Sequence, residues 1–361
     1  MSALARFASP ARDAAIVLLG TGMVGSALLQ LLATPAAAGL QLVGVADSER
    51  QLARAHGLVP VQARRQLHAL AGPRDESALL AALDASGIER RVVVDATASE
   101  RIAARHAHWL ARGCDVVSAN KAAIGGSLDG WNAVHRAAAA SGATYGDAAT
   151  VGAGLPVLST LRRLRRCGDR LRAIEGVFSG SLSWLFNRFD GRRPFSVLLR
   201  EARALGYTEP DPRVDLGGGD VVRKLLILAR STGHAVDAAD VEVRSLVPAH
   251  LRDLDADAFL RRAAELDEPL EARRANAAAD GCVLRHLAVR DAGGRAHVGL
   301  AEVATTHPCA TLAGTDNLYA LTTDRYRAQP LVIRGPGAGP EVTAQALLGD
   351  LLALRRSGAA G

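Results

Sequence analysis

Two lysines stand among the 43 basic residues of this 361-residue chain, Lys121 and Lys224, and every other basic position is arginine. Arginine keeps its proton in a protein, whereas burial and neighbours can tune a lysine ammonium into a working acid or base. Compositional drift towards Ala, Arg and Gly explains the shortage of lysine but not the survival of these two. Asp220 and Lys224 lie four residues apart in Asp220-Val221-Val222-Arg223-Lys224-Leu225-Leu226-Ile227-Leu228-Ala229, hence on one face of a helix one turn apart. The segment is apolar over most of its circumference, so the helix is expected to be largely buried. An ordinary surface ion pair is the bland alternative. A partly buried pair is different: desolvation lowers a lysine pKa, the aspartate opposes that shift, and such tuning makes a general acid or base near neutral pH.

Just upstream, Gly206-Tyr207-Thr208-Glu209-Pro210-Asp211-Pro212-Arg213-Val214-Asp215 sets three carboxylates around two prolines. Each proline restricts the residue before it to extended or turn conformations, so the loop is expected to be rigid and to hold its acids in fixed positions. Gly217-Gly218-Gly219 then leads into the lysine helix.

A second group of residues points to a nucleotide. Gly20-Thr21-Gly22-Met23-Val24-Gly25 follows the apolar run Ala15 to Leu19 and precedes a helical pattern that runs to about Ala33. In such a turn Gly20 permits the tight bend, Gly22 lets a pyrophosphate approach the backbone, Gly25 lets helix pack on strand, and the helix N-terminus faces the anion. Asp47 ends the next strand, 22 residues past Gly25, where an acid binds ribose hydroxyls and favours NAD. Arg50 and Arg54 just beyond it offer the alternative of a 2′-phosphate and NADP, and the choice stays open. Thr97, in Val94-Asp95-Ala96-Thr97-Ala98-Ser99, is either a cofactor contact or a helix cap. Ser118-Ala119-Asn120-Lys121 ends the following strand, which aims Lys121 at the crevice where open sheets bind ligands. A nicotinamide, a proton donor and anchored carboxylates together suit reduction of a carbonyl on a substrate that carries an ammonium group.

The elements that must position these residues alternate through the first part of the chain. Ala15–Leu19, Leu40–Ala46, Val92–Asp95 and Cys114–Val117 read as buried parallel strands, with a helix-like stretch from Glu100 to Arg112 between the last two. The economical reading is an open, doubly wound α/β sheet. Beyond about Ala148 helices mix with strands at Ala173–Phe178, Val283–Arg290 and His297–Val303, an α+β pattern. Leu331–Ile333 runs into Arg334-Gly335-Pro336-Gly337-Ala338-Gly339, and a last helix follows from about Val342 to Arg355.

Composition narrows the classes further. With 49% apolar and 22% charged residues the chain is ordinary globular protein, with no apolar run long enough for a membrane helix. Met1 to Ala14 lacks an apolar signal core and reads as a frayed leader, its few arginines offering a transit peptide as the alternative. Cys114, Cys167, Cys282 and Cys309 lack metal or disulfide spacing, as in a reducing cytoplasm. The net charge of +6 raises nucleic acid as a partner. However, the densest basic run, Leu161-Arg162-Arg163-Leu164-Arg165-Arg166, reads as the solvated face of an amphipathic helix, and aromatics are too few to supply base stacking. No nucleic-acid or membrane partner is expected.

Taken in order, these blocks resemble homoserine dehydrogenase from about Ile16 to Arg355, in its short, stand-alone form without an aspartokinase or C-terminal regulatory domain. The matching segments are the glycine turn, Asn120-Lys121, Thr150-Val151-Gly152-Ala153-Gly154-Leu155-Pro156, the block Phe178 to Asn187, the Gly206 to Arg213 loop, Asp220 with Lys224, and Arg334 to Gly339. The resemblance implies a Rossmann-type domain over 1–148, to which the helix 340–361 returns, and a catalytic and dimerisation domain over 149–339. It implies a cytoplasmic enzyme that interconverts L-homoserine and L-aspartate 4-semialdehyde with NADP or NAD, in threonine, methionine and isoleucine biosynthesis. Lys224 would be the proton donor and Lys121 would help hold the reacting oxygen. Asp220, Asp215, Glu209 and Tyr207 would serve the substrate, and Met23, Val24, Thr97, Lys121 and Gly339 would line the cofactor. A homodimer is implied, with a tetramer as the alternative. The family also places a carboxylate three residues before Val151 to help bind a monovalent cation such as sodium, with carbonyls of Val151, Ala153 and Leu155. Here Ala148 occupies that position and the acid is Asp147, so the cation site is a departure. A dehydrogenase of another amino-alcohol and a nicotinamide-sensing protein without chemistry are the competing readings.

Overall fold

The computed structural model describes residues 13–357; the remainder of the leader read at the N-terminus and of the C-terminal tail lies outside them. Contacts divide the chain into two units, one of Met1–Ile124, Asp129–Gly154 and Gly339–Gly361, the other of Gly125–Leu128 and Leu155–Ala338. The division therefore falls after Gly154 rather than after Ala148, and a four-residue excursion before Asp129 packs with the second unit.

The first unit is built on β1 (Ala14–Leu19), β2 (Leu40–Ala46), β3 (Arg50–Ala53), β4 (Gly72–Pro73), β5 (Arg91–Asp95), β6 (Asp115–Ser118) and β7 (Tyr145–Gly146), in the order β4-β3-β2-β1-β5-β6-β7. The pairs from β2 to β7 are parallel, and β1 is buried along its whole length, as a strand covered on both faces must be. Its core joins Ile16, Leu18, Val45, Val92 and Val94 to Leu28, Leu29 and Leu32 of the helix Met23–Leu32, and to Leu347, Leu351 and Leu354 of the final helix Pro340–Ser357. Two features differ from the sequence pattern. Past Asp47 the chain turns straight back as β3, antiparallel to β2, so the sheet has an antiparallel edge; a four-residue strand with only two buried positions carries too little periodicity to announce itself. The stretch from Glu100 to Arg112 is two helices, Glu100–Ala103 and His106–Ala111, parted where the Arg105 N–H bonds the Ile102 carbonyl three residues back rather than the one four back.

The second unit carries β8 (Leu171–Val177), β9 (Val241–Arg244), β10 (Cys282–Arg290), β11 (Ala296–Ala304), β12 (Asp316–Thr323) and β13 (Leu331–Pro336), in the order β13-β12-β8-β10-β11-β9. All pairs are antiparallel except β11 with β9. The helix Gly180–Arg188 starts where β8 ends and is capped by Ser179, whose hydroxyl accepts from the Leu182 N–H. The helix Gly219–Ser231 is buried at every position from Val221 to Ser231 except Arg223, as its apolar circumference requires. In the helix Val157–Arg166, Val157, Leu158 and Leu161 face inward while Arg163, Arg165 and Arg166 are exposed, so the basic run is a solvated face. Among the described residues no helix is long and apolar enough to cross a membrane.

Candidate functional site

The glycine turn separates by what each missing side chain makes room for. Gly20 has φ +92°, and a Cβ there would stand 2.8 Å from the Ala96 carbonyl oxygen. A Cβ on Gly25 would stand 1.9 Å from the Gly20 carbonyl oxygen. These two glycines serve the chain itself. A Cβ on Gly22 would meet nothing within 4 Å, so that bare face looks outward. Gly22 also caps the helix Met23–Leu32 without a side-chain hydrogen bond, and the first turn holds no acid. The first N–H groups of the helix and the positive end of its dipole are thus left for an external anion. Met23 is 79% exposed at the same place and Val24 is half-buried. This cradle fits the pyrophosphate of a dinucleotide.

Asp47 follows β2, and its Oδ1 accepts from the N–H groups of Glu49 at 2.9 Å and Arg50 at 2.7 Å. Burial works against its charge, but those two N–H groups and the charges of His68 and Arg50 outweigh it and hold the carboxyl below its ordinary value. An ionised Asp47 suits ribose hydroxyls. Arg50 is exposed beside it, with Nη1 on the His68 carbonyl at 3.3 Å. Arg54 is carried away: its N–H bonds the Val43 carbonyl, towards the other end of β2. Arg74 takes its place, with Nη1 donating to the Asp47 carbonyl at 2.5 Å. Burial, and then the charge of Arg101, pull the Arg74 pKa down. Nothing in local spacing announces Arg74.

The ends of β5 and β6 are joined by buried polar groups. Asp95 is fully buried; its Oδ1 accepts from the Thr97 N–H at 2.8 Å, and its Oδ2 meets Asn120 Nδ2 at 3.0 Å and His106 Nε2 at 2.9 Å. Burial, then the charge of Asp147, push the Tyr145 phenol well above its ordinary value, and its hydroxyl lies 3.0 Å from His106 Nδ1. Asn120 also donates to the Ser99 carbonyl at 2.9 Å and accepts from the Ala122 N–H at 3.0 Å. The backbone on both sides of half-buried Lys121 is therefore pinned. Thr97 accepts from the Ser99 N–H at 3.2 Å, while Ser99, not Thr97, caps the next helix. Gly339, with φ +137°, directly precedes the final helix, and its carbonyl accepts from the Thr343 hydroxyl.

In the second unit Lys224 is 7% exposed. Its Nζ lies 2.8 Å from Asp220 Oδ2 and donates to the Phe178 carbonyl at 2.7 Å. The Asp220 side chain is 47% exposed, so the pair is buried at the lysine end only. Asp215 accepts from the Ser181 hydroxyl at 2.6 Å and from the Glu209 N–H at 2.9 Å. Burial raises its pKa; the Ser181 and Glu209 hydrogen bonds oppose this, and the charge of Asp220 adds to the rise. Lys224, Asp220 and Asp215 thus share one neighbourhood, with Glu209 tied to it by its backbone and exposed in its side chain. Tyr207 is exposed, its ring 5.5 Å from that of Trp184. Asp211 is spent inside the loop on Arg213, which holds its carboxyl below the ordinary value. The loop owes its shape to more than its prolines: Arg203 donates to the Pro210 carbonyl at 3.0 Å and Arg213 to that of Arg252 at 2.8 Å. Ser181 and the Phe178 carbonyl were not singled out from sequence, since neither residue type advertises chemistry.

Asp147 is buried and its carbonyl takes the N–H and hydroxyl of Thr150. Ala153, with φ +51°, is the only non-glycine in the left-handed region among the described residues. Val151 and Ala153 belong to the first unit and Leu155 to the second, where its carbonyl accepts from the Val157 N–H at 2.8 Å. No group of three or more His, Cys, Asp or Glu suited to a metal occurs among the described residues. Backbone carbonyls alone would suit an alkali cation rather than a transition metal.

Comparison with known proteins decides what this arrangement belongs to. The family model "Homoserine dehydrogenase" matches residues 156–352, and that of its NAD-binding domain matches residues 20–146. The chain belongs to the homoserine dehydrogenase family. It is 37% identical to the homoserine dehydrogenase of Saccharomyces cerevisiae over 93% of this chain and 96% of that one. A chloroplastic bifunctional aspartokinase/homoserine dehydrogenase of Zea mays is 40% identical over 98% of this chain. There the match spans only 40% of the longer protein. Among solved structures, a Candida auris protein of unknown function superposes with a TM-score of 0.87 at 33% identity, covering 95% of this chain and 98% of that one.

Proposed function

We propose that this member of the homoserine dehydrogenase family interconverts L-homoserine and L-aspartate 4-semialdehyde with NADP or NAD, in the biosynthesis of threonine, methionine and isoleucine. The observation that carries the reading is the state of Lys224. An ammonium has three N–H groups; the Asp220 carboxylate and the Phe178 carbonyl engage two, which leaves the third for a substrate oxygen. When bound, the reduced nicotinamide supplies a hydride to the carbonyl carbon. Lys224 Nζ gives its proton to the carbonyl oxygen in the same direction, and takes the hydroxyl proton back in the reverse one. Asp220 keeps the ammonium oriented. Lys121, pinned through Asn120, helps hold the reacting oxygen, and Asp215, Glu209 and Tyr207 receive the substrate's ammonium and polar groups. Gly20, Gly22, Met23, Val24, Gly25, Asp47, Arg50, Thr97 and Gly339 form the cofactor's surroundings.

Val151, Ala153 and Leu155 would offer carbonyls to a monovalent cation, and comparing rates in sodium with those in a bulky organic cation tests that part. Four free cysteines fit a reducing cytoplasm. Val243 on β9 and Val332 on β13, 44% and 39% exposed, are apolar positions of the second unit open to pairing in a homodimer, which sedimentation would reveal.

The deciding experiment is homoserine oxidation by the purified chain, followed at 340 nm separately with NAD and NADP, beside Lys224→Arg. Arginine preserves charge but cannot cycle its proton, so turnover is expected to fall by roughly 10²–10⁴-fold. Cofactor binding without homoserine-dependent reduction, or wild-type turnover in Lys224→Arg, would overturn the proposal.

A further inference from the structure

The Phe178 carbonyl that receives Lys224 lies between the end of β8 and the cap residue Ser179, outside any strand ladder. Something else must fix its direction. A carbonyl oxygen has two lone pairs. Lys224 Nζ occupies one at 2.7 Å, and Asn317 Nδ2, reaching from β12, donates to the same oxygen at 3.1 Å. Asn317 is fully buried, and its Nδ2 also lies 3.3 Å from the Tyr319 hydroxyl, whose ring stacks on Phe178 at 4.6 Å. The amide has only one sensible orientation, because a flip would set its oxygen against the Phe178 oxygen. In this orientation its own Oδ1 has no partner among the described residues. Burying an acceptor unpaired is unfavourable, and the donor is the half of the amide that the surrounding residues use. The glycine loop is shaped around it: a Cβ on Gly337 would stand 2.0 Å from Asn317 Nδ2.

We infer that Asn317 is a positioning residue for the acid–base step: its amide holds the Phe178 carbonyl, and the held carbonyl aims the third N–H of Lys224. The inference rests on Lys224 being the proton donor. Without the Asn317 donor the carbonyl follows the strand-to-helix junction, and the ammonium loses a fixed anchor.

The test uses the full chain with Asn317→Ala, Asn317→Asp and, in parallel, Lys224→Arg. Measured are kcat and KM for homoserine across pH, and cofactor Kd from NADPH fluorescence. Asn317→Ala is expected to lower kcat on the order of tenfold, the equivalent of about 1.4 kcal/mol, with cofactor Kd unchanged. Asn317→Asp has the same shape but sets a negative charge near the ammonium, which favours the protonated form; its oxidation profile is expected to move to higher pH. A folded Asn317→Ala with wild-type kcat, or loss of cofactor affinity in step with kcat, overturns the inference. Should Asn317→Ala not fold, an Asn317→Asp profile identical to wild type overturns it alone. Full turnover in Lys224→Arg would instead remove the parent reading. An inactive Lys224→Arg beside a normal Asn317→Ala removes only this inference.

Discussion

Gly22 and Gly25 differ by three positions in the chain, and a methyl group at each should produce opposite outcomes. At Gly25 the new Cβ would lie 1.9 Å from the Gly20 carbonyl oxygen, against a relaxed carbon–oxygen contact of about 3.3 Å. The obstacle, the Gly20 carbonyl group, is backbone, so strand and helix must separate by over an ångström. Overpacking of this kind costs about 1–3 kcal/mol, and rigid neighbours on both sides put Gly25→Ala at or above about 3 kcal/mol. At Gly22 the Cβ meets no protein atom within 4 Å, and the fold loses only the difference between glycine and alanine as a helix cap, about 1 kcal/mol or less. The same methyl stands where a pyrophosphate approaches the helix N-terminus. A contact forced outward there is expected to weaken the cofactor by on the order of 10- to 100-fold, about 1.4–2.8 kcal/mol. Urea unfolding gives the first quantity and fluorescence titration with NADPH the second. Gly22→Ala should unfold near wild type and bind poorly, whereas Gly25→Ala should lose stability first. A Gly22→Ala protein with wild-type cofactor affinity would refute the assignment of that bare face to the phosphates.

Three further outcomes follow from the packing. His286 is buried, both its ring nitrogens lack a partner among the described residues, and burial lowers its pKa to about 4. The unfolded chain, with a pKa of about 6.5, binds more protons between those values, so this contribution is complete above pH 6.5 and is lost as pH falls towards 4; it amounts to about 3 kcal/mol. Unfolding free energies at pH 7 and 4.5 should differ by about 2 kcal/mol more in wild type than in His286→Leu, since the last part of the contribution is lost only below pH 4.5; equal pH dependence in the two proteins would contradict it. His106→Phe strips a partner from fully buried Asp95 and is expected to cost about 3 kcal/mol in urea unfolding, a loss below 1 kcal/mol being the contrary result. Arg74→Ala should raise the Kd for NADP more than that for NAD, because a guanidinium beside Asp47 has a 2′-phosphate to meet only in NADP; equal changes would remove Arg74 from cofactor selection.

Much of the architecture was readable from local pattern. The apolar run before the glycine turn, the buried strands ending at Asp95 and Ser118, and the apolar helix around Lys224 are short-range signals of two or four residues' period, and the structure carries them. The hairpin of β2 and β3 and the split at Arg105 were not readable, because a four-residue strand with two buried positions carries too little periodicity and a single tightened turn leaves a helical pattern intact. Within the candidate site the same division holds. Residue type alone singled out Lys121, Lys224 and the acids of the proline loop, because few side chains can cycle a proton or hold an ammonium. Only tertiary structure gives each of them its partners. Asp211 is consumed by Arg213, Asp215 is pulled up by burial and by Asp220, and Arg54 gives way to Arg74. Lys224 and Asn120 each have a distant partner beside their local ones, a backbone carbonyl 46 residues away and a carboxylate 25 residues away. Sequence spacing encodes neighbours along a helix or strand, whereas burial and hydrogen-bond partners are set by which elements the core brings together, and those two quantities control how readily a lysine gives up its proton.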